Sequence, residues 1–221
     1  MGINVAIDGP AGAGKSTIAK QVAKELGFIY VDTGAMYRAI ALYLLRKGIA
    51  TDDQDGFAKY CVEAKVSLEY VDGAQVVMLN GENVNGLIRT EEVGNMASAS
   101  STNGTVRAQL LDLQRDMAAN NDVVMDGRDI GTNILPNAQA KIYLTASSKV
   151  RANRRFLELQ AKGVECDIDQ IEKDIIERDE RDMNREIAPL KQAPDAVYVD
   201  SSDMTVEEVK KRIISIVKEK M

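Results

Sequence analysis

The sequence predicts an α/β fold in which a parallel five-stranded sheet is flanked by helices and a small antiparallel β lobe is inserted into the chain. Short apolar runs alternate with segments whose apolar residues recur at helical spacing, which is the pattern of βα units. Asp-Gly and Asn-Gly pairs interrupt this alternation between residues 66 and 84, and such pairs are strong signals for β-hairpins. With 221 residues, 45% of them hydrophobic, the chain is long enough to bury the core of one globular domain.

Two βα units open the chain. Residues 3–7 form a short apolar run, and after Gly14 apolar residues recur at helical spacing until Gly27, which is expected to end the helix. Residues 28–31 give a second strand, followed by a second helix that runs to Gly48. Because strands joined through a helix pair in parallel, the two units predict a parallel sheet.

An antiparallel meander is expected next, between residues 66 and 84, where Asp72-Gly73 and Asn80-Gly81 separate β-rich runs. A helix near residues 106–117 then returns the chain to parallel order. The remaining predicted strands are 123–126, 142–144 and 196–199. Thr205 and Glu208 have capping-box spacing, which predicts the start of a final helix.

Composition excludes several classes of chemistry. The chain has no histidine, so a histidine general base, a histidine-ligated metal and a Ser-His-Asp triad are excluded. Its net charge of −6 and its pI of about 4.9 argue against a nucleic-acid-binding surface. Cys61 and Cys166 are far apart in sequence and are expected to be reduced thiols. No apolar run is long enough to span a membrane, so we expect a cytoplasmic protein.

Residues 9–16 match the phosphate-binding loop pattern G-x-x-x-x-G-K-[ST] without a mismatch, between a predicted strand and a predicted helix. In such a loop glycines let backbone N–H groups surround phosphate oxygens, Lys15 adds a charge near the β- and γ-phosphates, and the Ser16 hydroxyl suits Mg²⁺. The alternative is a glycine-rich turn that binds nothing. The complete pattern and both flanks favour the phosphate-binding loop.

A phosphotransferase also needs a pocket for its acceptor, and two predicted strands end in suitable residues. After the second strand, the Thr33 hydroxyl and the Arg38 guanidinium suit an acceptor phosphate; the alternative is a helix cap with one surface arginine. Near residue 126, Asp126-Gly127-Arg128-Asp129 places three charges around a glycine, which favours a polar pocket over an Asp-Gly turn. Asp126 is predicted to hold the water around Mg²⁺.

Two rows of arginines follow. Arg151, Arg154 and Arg155 are spaced i, i+3, i+4, whereas Arg178, Arg181 and Arg185 are spaced i, i+3, i+7, so each row is expected to share a helix face. Joined by a connection that contains Gly163, the faces suggest a mobile lid that opens because like charges repel. The alternative is that each row is a solvated face neutralised by acidic neighbours. Phosphoryl transfer needs positive charge and positioning rather than a strong base, so an arginine-rich chain without histidine suits it.

Five segments together resemble the bacterial cytidylate kinases, and the resemblance extends along essentially the whole chain. They are residues 7–10, 32–38, 88–93, 126–132 and 177–185. The resemblance implies a P-loop kinase fold with an arginine-rich helical lid, and transfer of the γ-phosphoryl group of ATP to CMP or dCMP with Mg²⁺ as cofactor. It also implies that the meander is the extended monophosphate-binding lobe of the long form of this family.

Matching positions imply a role for individual residues. Catalytic roles are implied for Lys15, Arg128, Arg155 and Arg185. ATP binding is implied for Gly9, Pro10, Ala11, Gly12, Ala13, Gly14, Lys15, Ser16, Thr17 and Arg154, and Mg²⁺ binding for Ser16 and Asp126. The acceptor would contact Thr33, Arg38, Ser98, Arg107, Arg128, Asp129, Arg178, Asp182 and Arg185. Among these, Ser98, Arg107 and Asp129 would read the cytosine edge, whose acceptors suit arginine or serine and whose amine suits a carboxylate.

We expect a single domain over residues 1–221 with three parts. The core is predicted at about residues 1–60, 104–148 and 190–221, the monophosphate-binding lobe at about 61–103 and the lid at about 149–189. The expected partners are the small molecules CMP and dCMP, with no nucleic acid and no membrane, and the chain is expected to be a monomer. Two other functions stay open: a related P-loop kinase with a different acceptor, and a nucleotide-binding switch. The absence of an Asn-Lys-x-Asp segment argues against the switch.

Overall fold

A computed structural model describes residues 2–221, and the elements predicted from the sequence occur in it in the predicted order. The strands are β1 (Asn4–Asp8), β2 (Ile29–Asp32), β3 (Val66–Val71), β4 (Ala74–Leu79), β5 (Glu82–Asn83), β6 (Val123–Gly127), β7 (Ala140–Thr145) and β8 (Val197–Asp200). The helices are α1 (Lys15–Leu26), α2 (Thr33–Arg46), α3 (Gln54–Cys61), α4 (Glu91–Ser100), α5 (Gly104–Asn120), α6 (Ser148–Ala161), α7 (Ile168–Asn184) and α8 (Val206–Lys220). A single π-helical turn, Ile130–Ile134, follows β6.

The larger sheet has five strands in the order β2-β6-β1-β7-β8. β1 runs parallel to β7, with Ile7 opposite Ile142, and β7 runs parallel to β8. Every residue of β6 is buried, as are the last four residues of β1. Central strands buried in this way are covered on both faces, so the predicted parallel five-stranded sheet flanked by helices is confirmed.

Two compact units make up the chain. Gly2 and Ile29–Val123 belong to the first, and Ile3–Phe28 and Val124–Met221 belong to the second. In the first unit α2 packs against α4 and β4, and the largest fully buried side chains include Met36, Leu44, Phe57, Met96 and Leu110. In the second unit α1 packs against α8, and the buried side chains include Ile7, Val22, Ile142, Ile213 and Val217.

The smaller sheet is the predicted meander, with β3, β4 and β5 in antiparallel order. Asp72 and Gly73 have φ angles of 51° and 74°, and Asn80 and Gly81 have φ angles of 50° and 82°. Positive φ at both central residues is typical of type I′ turns, whose twist matches that of the paired strands. Both predicted turns are therefore confirmed.

Some features differ from the sequence prediction. Helices α3 and α4 are not apparent in the apolar pattern, because both are short; each begins at a polar cap, provided by Asp53 and Thr90. Arg185 lies after the end of α7, with φ −65° and ψ 141°. The prediction that Arg178, Arg181 and Arg185 share one helix face is therefore wrong. Within residues 2–221 no helix combines the length and apolar character needed to cross a membrane.

Candidate active site

The loop between β1 and α1 has the backbone that a phosphate-binding loop requires. Gly9, Gly12 and Gly14 have φ angles of 150°, 75° and 85°, which favour glycine. A side chain at Gly9 would also collide with the carbonyl oxygen of Leu144 on β7. Gly14 is the N-cap of α1 and makes no side-chain cap, so the N–H groups of the first helical turn stay available to an anion. The predicted strand, loop and helix are confirmed.

Lys15, the first residue of α1, is folded back onto this loop. Its Nζ donates a hydrogen bond to the carbonyl oxygen of Pro10 at 2.7 Å, and the residue is 6% exposed. Burial lowers the pKa of Lys15 well below its ordinary value, and the charge of Arg128 lowers it further, against the opposing effect of Asp126. A phosphate beside Lys15 would supply the negative charge that favours the ammonium form.

Ser16 and Asp126 lie together, as the metal prediction requires. The Ser16 hydroxyl donates to Asp126 Oδ2 at 2.9 Å, and Asp126 is buried at the end of β6 rather than in an Asp-Gly turn. No cluster of three or more acidic or thiol ligands exists within residues 2–221. One hydroxyl and one carboxylate fit Mg²⁺, since this ion usually keeps several waters and takes its other ligands from substrate phosphates.

Asp8 is a site residue that the sequence analysis does not single out. It ends β1, is 4% exposed, and its two carboxylate oxygens accept from the backbone N–H groups of Ile130 and Gly131 at 2.8 and 2.7 Å. Burial raises the pKa of Asp8 to about 6 in spite of these bonds. Asp8 thereby fixes the start of the π turn that follows Arg128 and Asp129. The available signal was a charged residue at the end of an apolar strand, directly before the phosphate-binding loop.

Arg128 and Asp129, the two residues after β6, are paired with Asp182 in the last turn of α7 and with Arg185 just after it. Arg128 Nε donates to Asp182 Oδ2 at 2.9 Å. Arg185 Nη2 lies 3.2 Å from Asp129 Oδ1, and both side chains are buried. The second unit thus brings together four of the predicted acceptor residues.

Asp182 is held in its charged form by this arrangement. Burial alone would raise the pKa of Asp182, but the charge of Arg128 and its hydrogen bond, with further contributions from Arg178 and Arg185, lower it below its ordinary value. Asp182 is therefore a hydrogen-bond acceptor at neutral pH.

Arg151, the first arginine of the first row, is paired with an acidic residue of α7. Arg151 on α6 is 5% exposed, and its Nη2 lies 2.6 Å from Asp179 Oδ2 on α7. An ion pair therefore joins α6 and α7 at a point where the sequence analysis expected repulsion between arginines. Asp179, which lies between Arg178 and Arg181 in the sequence, faces Arg151. The alternative interpretation, in which the first row is a solvated helix face, is also wrong for Arg151, because this side chain is buried.

The other arginines of these helices are more exposed. Arg154 donates to the carbonyl oxygen of Ser201 at 2.7 Å. Arg155 pairs with Glu158 at 3.0 Å and its side chain is 42% exposed, and Arg181 is exposed too. Arg178 is half-buried. The alternative interpretation of a solvated helix face therefore agrees with the positions of Arg155 and Arg181.

In the first unit, Thr33 and Arg38 lie on α2. Asp32 caps the helix by accepting from the N–H of Ala35 at 2.9 Å, so Thr33 is the first helical residue and is buried. Arg38 is half-buried. The segment does contain a helix cap, but Asp32 provides it, and Arg38 is not the surface arginine of the alternative interpretation.

Asp32 is also held by the inserted meander and by the segment after it. Gln75 on β4 accepts from the backbone N–H of Asp32 at 2.9 Å and donates to its carbonyl oxygen at 3.4 Å. Arg89 Nη2 lies 2.7 Å from Asp32 Oδ2. Tyr70 on β3 donates to the carbonyl oxygen of Tyr30 at 3.1 Å. The start of α2 is therefore fixed by side chains from the insertion.

The two predicted base-reading residues of the first unit lie on successive helices. Ser98 is half-buried on α4. Arg107 on α5 is 7% exposed, donates to the carbonyl oxygen of Ser101 at 3.3 Å, and has its guanidinium carbon 5.6 Å from the ring centre of Tyr37. The aromatic ring and the carbonyl orient a cation that is otherwise costly to bury.

Comparison with known proteins places the chain in one family. Residues 5–219 match the family described as Cytidylate kinase. A protein named cytidylate kinase from Caldicellulosiruptor bescii is 47% identical over 214 residues, covering 97% of this chain and 95% of its own. A protein of the same name from Geobacillus sp. (strain WCH70) is 46% identical over 219 residues, covering 99% of this chain and 98% of its own.

A solved structure supports the fold. An uncharacterized protein from Eubacterium ventriosum ATCC 27560 superposes with a TM-score of 0.53 at 13% identity, over 98% of both chains. At this identity only the fold is shared. The family model, in contrast, matches residues 5–219, and the relative from Caldicellulosiruptor bescii is 47% identical over 97% of this chain. The chain therefore belongs to the cytidylate kinase family, and it is a kinase.

Proposed function

We propose that this chain transfers the γ-phosphoryl group of ATP to CMP or dCMP, giving ADP and CDP or dCDP. One observation carries the proposal: Asp126 at the end of β6 contacts Ser16 of the P-loop, and two and three residues later Arg128 and Asp129 pair with Asp182 and Arg185. One short loop thus joins the residues suited to a donor phosphate to a second set of charges suited to an acceptor. A switch that only binds or hydrolyses nucleotide would not need that second set.

On the donor side, the P-loop N–H groups and Lys15 bind the ATP phosphates. Lys15 exchanges its bond with Pro10 for the β- and γ-phosphate oxygens, whose negative charge favours its ammonium form. Ser16 and Asp126 would hold Mg²⁺, which when bound neutralises part of the charge of the donor phosphates. Arg154 and Arg155 of α6 are assigned to the ATP phosphates as well.

On the acceptor side, Arg38, Arg128 and Arg185 bind the phosphate of CMP, with Thr33 as a hydroxyl donor. Arginine suits this task because its planar fork forms paired hydrogen bonds with phosphate oxygens. Arg128 and Arg185 are already held by carboxylates, so their guanidinium groups are oriented before the substrate arrives. Such preorganisation lowers the ordering that binding would otherwise require.

In the transfer, an oxygen of the acceptor phosphate forms a bond to the γ-phosphorus while the bond to the β–γ bridging oxygen breaks. The attacking phosphate oxygen is already ionised near neutral pH, so no general base is needed, in agreement with the absence of histidine. Lys15 and the arginines stabilise the charge that spreads over the moving group. The chain's contribution is therefore position and positive charge.

Selection of the base is assigned to Asp129, Ser98 and Arg107. The Asp129 carboxylate accepts from the cytosine amine, and the other two donate to the ring acceptors. Arg178 and Asp182 contact the sugar. We further propose that residues of about 61–103 form the monophosphate-binding lobe, those of about 149–189 the lid, and the remaining residues the core.

Initial rates with CMP, dCMP, UMP and AMP at fixed Mg-ATP, followed by ADP release, test the proposal. We expect CMP and dCMP to be the fastest acceptors. An Arg128→Lys variant should raise the KM for CMP, whereas Arg212→Lys on the exposed side of α8 serves as a matched control and should not. Equal rates with AMP, or ADP release that does not depend on an acceptor, would overturn the assignment.

A further inference from the structure

Arg151 is a buried arginine whose three partners come from three segments of the second unit. Its Nε donates to the carbonyl oxygen of Ala146 after β7 at 2.8 Å, and its Nη1 donates to the carbonyl oxygen of Ala11 in the P-loop at 2.9 Å. Its Nη2 donates to Asp179 Oδ2 on α7 at 2.6 Å. Because the guanidinium is planar and its N–H directions are fixed, it holds these segments in a defined relation.

The side chain of Arg151 also packs against the P-loop backbone. A Cβ placed on Gly12 would lie only 3.3 Å from the Cβ of Arg151, and Gly12 has a φ angle of 75°. Because Gly12 has no side chain, the loop backbone can lie close to Arg151, which also donates to the carbonyl oxygen of Ala11. A change in the backbone of residues 11–12 on phosphate binding would therefore displace the arginine.

Asp179 connects the arginine to the end of α7. It is 7% exposed and lies one turn before Asp182, which binds Arg128. The helix is thus held at two points on adjacent turns, and Arg178, proposed to contact the acceptor sugar, lies beside the first. Since both members of the Arg151–Asp179 pair are buried, salt in the solvent screens their attraction little.

The Arg151–Asp179 pair holds α7 through only one oxygen of the Asp179 carboxylate, so small shifts of the helix remain possible. Asp179 Oδ1 is buried and accepts no hydrogen bond within the described structure, whereas both oxygens of Asp8 are bonded. A carboxylate held through one oxygen can take a second position more easily than one held through both. Such a contact is suited to transmit a shift and not only to fix the helix.

We propose that Arg151 and Asp179 are positioning residues that couple occupation of the P-loop to the placement of α7, so that bound ATP raises the affinity for CMP. Ordering α7 with the first ligand leaves less ordering for the second, which gives positive cooperativity. The inference rests on the proposed function, because it takes ATP and CMP as the two ligands. Neither residue needs to touch a substrate for this role.

Two variants separate coupling from folding. Asp179→Asn keeps the shape of the side chain and an oxygen that accepts from Arg151, but it removes the charge. Arg151→Lys keeps the charge but loses the three-way fork. Glu180→Gln, at the exposed next position of α7, removes the same charge as Asp179→Asn and is the matched control. Melting curves establish that each variant is folded, and either of the first two carries the test.

Calorimetric titration with CMP, with and without a saturating non-hydrolysable ATP analogue, measures the coupling. In the wild-type chain and the Glu180→Gln control the analogue should strengthen CMP binding about tenfold. In Asp179→Asn and Arg151→Lys this factor should fall to within about twofold of no effect. Hydrogen exchange with the analogue alone should show added protection of residues 168–184 in the wild type and not in the two variants.

Undiminished coupling in both variants, or equal protection of α7 in wild type and variants, would overturn the inference and leave the proposed function intact. A wild-type chain that binds the analogue but not CMP would instead contradict the proposed function. In that case exchange with the analogue alone still decides whether the P-loop and α7 are coupled.

Discussion

Arg185 and Asp129 form a buried ion pair in which Nη2 lies 3.2 Å from Oδ1, and the two side chains are 4% and 6% exposed. Asp129 also accepts from the side-chain amide of Asn133 in the π turn, at 3.1 Å. The residue proposed to read the base is thus bound to a residue proposed to hold the phosphate. A change at Asp129 is expected to affect both base choice and turnover.

Asp129→Asn should narrow the preference for CMP over UMP by on the order of tenfold, because the amide offers a donor to the uracil carbonyl where the carboxylate repels it. Activity with CMP should fall at the same time, since Arg185 loses its charged partner. The ratio of kcat/KM for the two nucleotides measures the effect. Arg185→Lys is the control: it disturbs the same pair and should lower both values without changing their ratio. An unchanged ratio in Asp129→Asn would exclude this carboxylate from base recognition.

Lys15→Ala should reduce phosphoryl transfer by about 100-fold or more, because a charge that stabilises the moving group is lost from a buried site. The melting temperature should not fall in parallel, since removing a buried ammonium also removes its desolvation penalty. Lys24→Ala, in the exposed last turn of the same helix, controls for loss of a lysine. Near-normal turnover of Lys15→Ala would show that the P-loop assignment is wrong.

We expect the Asp8 carboxyl to make the free energy of unfolding depend on pH between its ordinary pKa of 3.8 and its folded-state pKa of about 6. Its pKa is about 6 in the folded chain against an ordinary 3.8, so between these values the folded state holds a proton that the unfolded state releases. Its contribution to the free energy of unfolding is therefore greatest below the window and decreases as pH rises through it, by about 3 kcal/mol in total. Above about pH 7, where Asp8 is ionised in both the folded and the unfolded state, no further change is expected.

Urea denaturation of the wild type and Asp8→Asn across this window checks the sign. Asp8→Asn has no carboxyl to titrate at this position. The free energy of unfolding of the variant should therefore increase relative to that of the wild type as pH rises from about 4 to about 6. Asp112→Asn, at an exposed position of α5, controls for removal of one carboxylate. A constant difference between wild type and Asp8→Asn would contradict the raised pKa.

Gln75→Leu should lower the free energy of unfolding by about 1–3 kcal/mol, because the buried Asp32 N–H loses the acceptor that Gln75 provides. Hydrogen exchange at β2 and at the start of α2 should become faster as well. Ser67→Ala on exposed β3 is the matched control. Unchanged stability and exchange would mean that solvent replaces the Gln75 amide without loss.

The sequence predicted those features that local chemistry determines. Asp72-Gly73 and Asn80-Gly81 specify their turns because few other residue pairs adopt positive φ at both positions. The glycines and Lys15 of the P-loop likewise act within one strand, loop and helix. Central strands were recognisable because burial on both faces requires continuous apolar runs.

Features that depend on distant partners were not predictable from local pattern. Asp8 and Gly131 are separated by 123 positions, and nothing near Asp8 in sequence indicates which N–H groups it accepts from. The pairing of Arg151 with Asp179 was missed for the same reason, since helical spacing groups arginines by face but does not show which acidic residue faces them. The roles of the acceptor residues stay predictions.

The Gln75 and Tyr70 contacts have a consequence for the solution behaviour of the sheet. β2 is an edge strand, and such a strand presents unpaired backbone groups that can recruit a strand from another molecule. The outward N–H and carbonyl of Asp32 are taken by the Gln75 amide, and the carbonyl of Tyr30 is taken by the Tyr70 hydroxyl. Side chains of the insertion thus stand in for a sixth strand, and they protect the open edge from aggregation by strand addition.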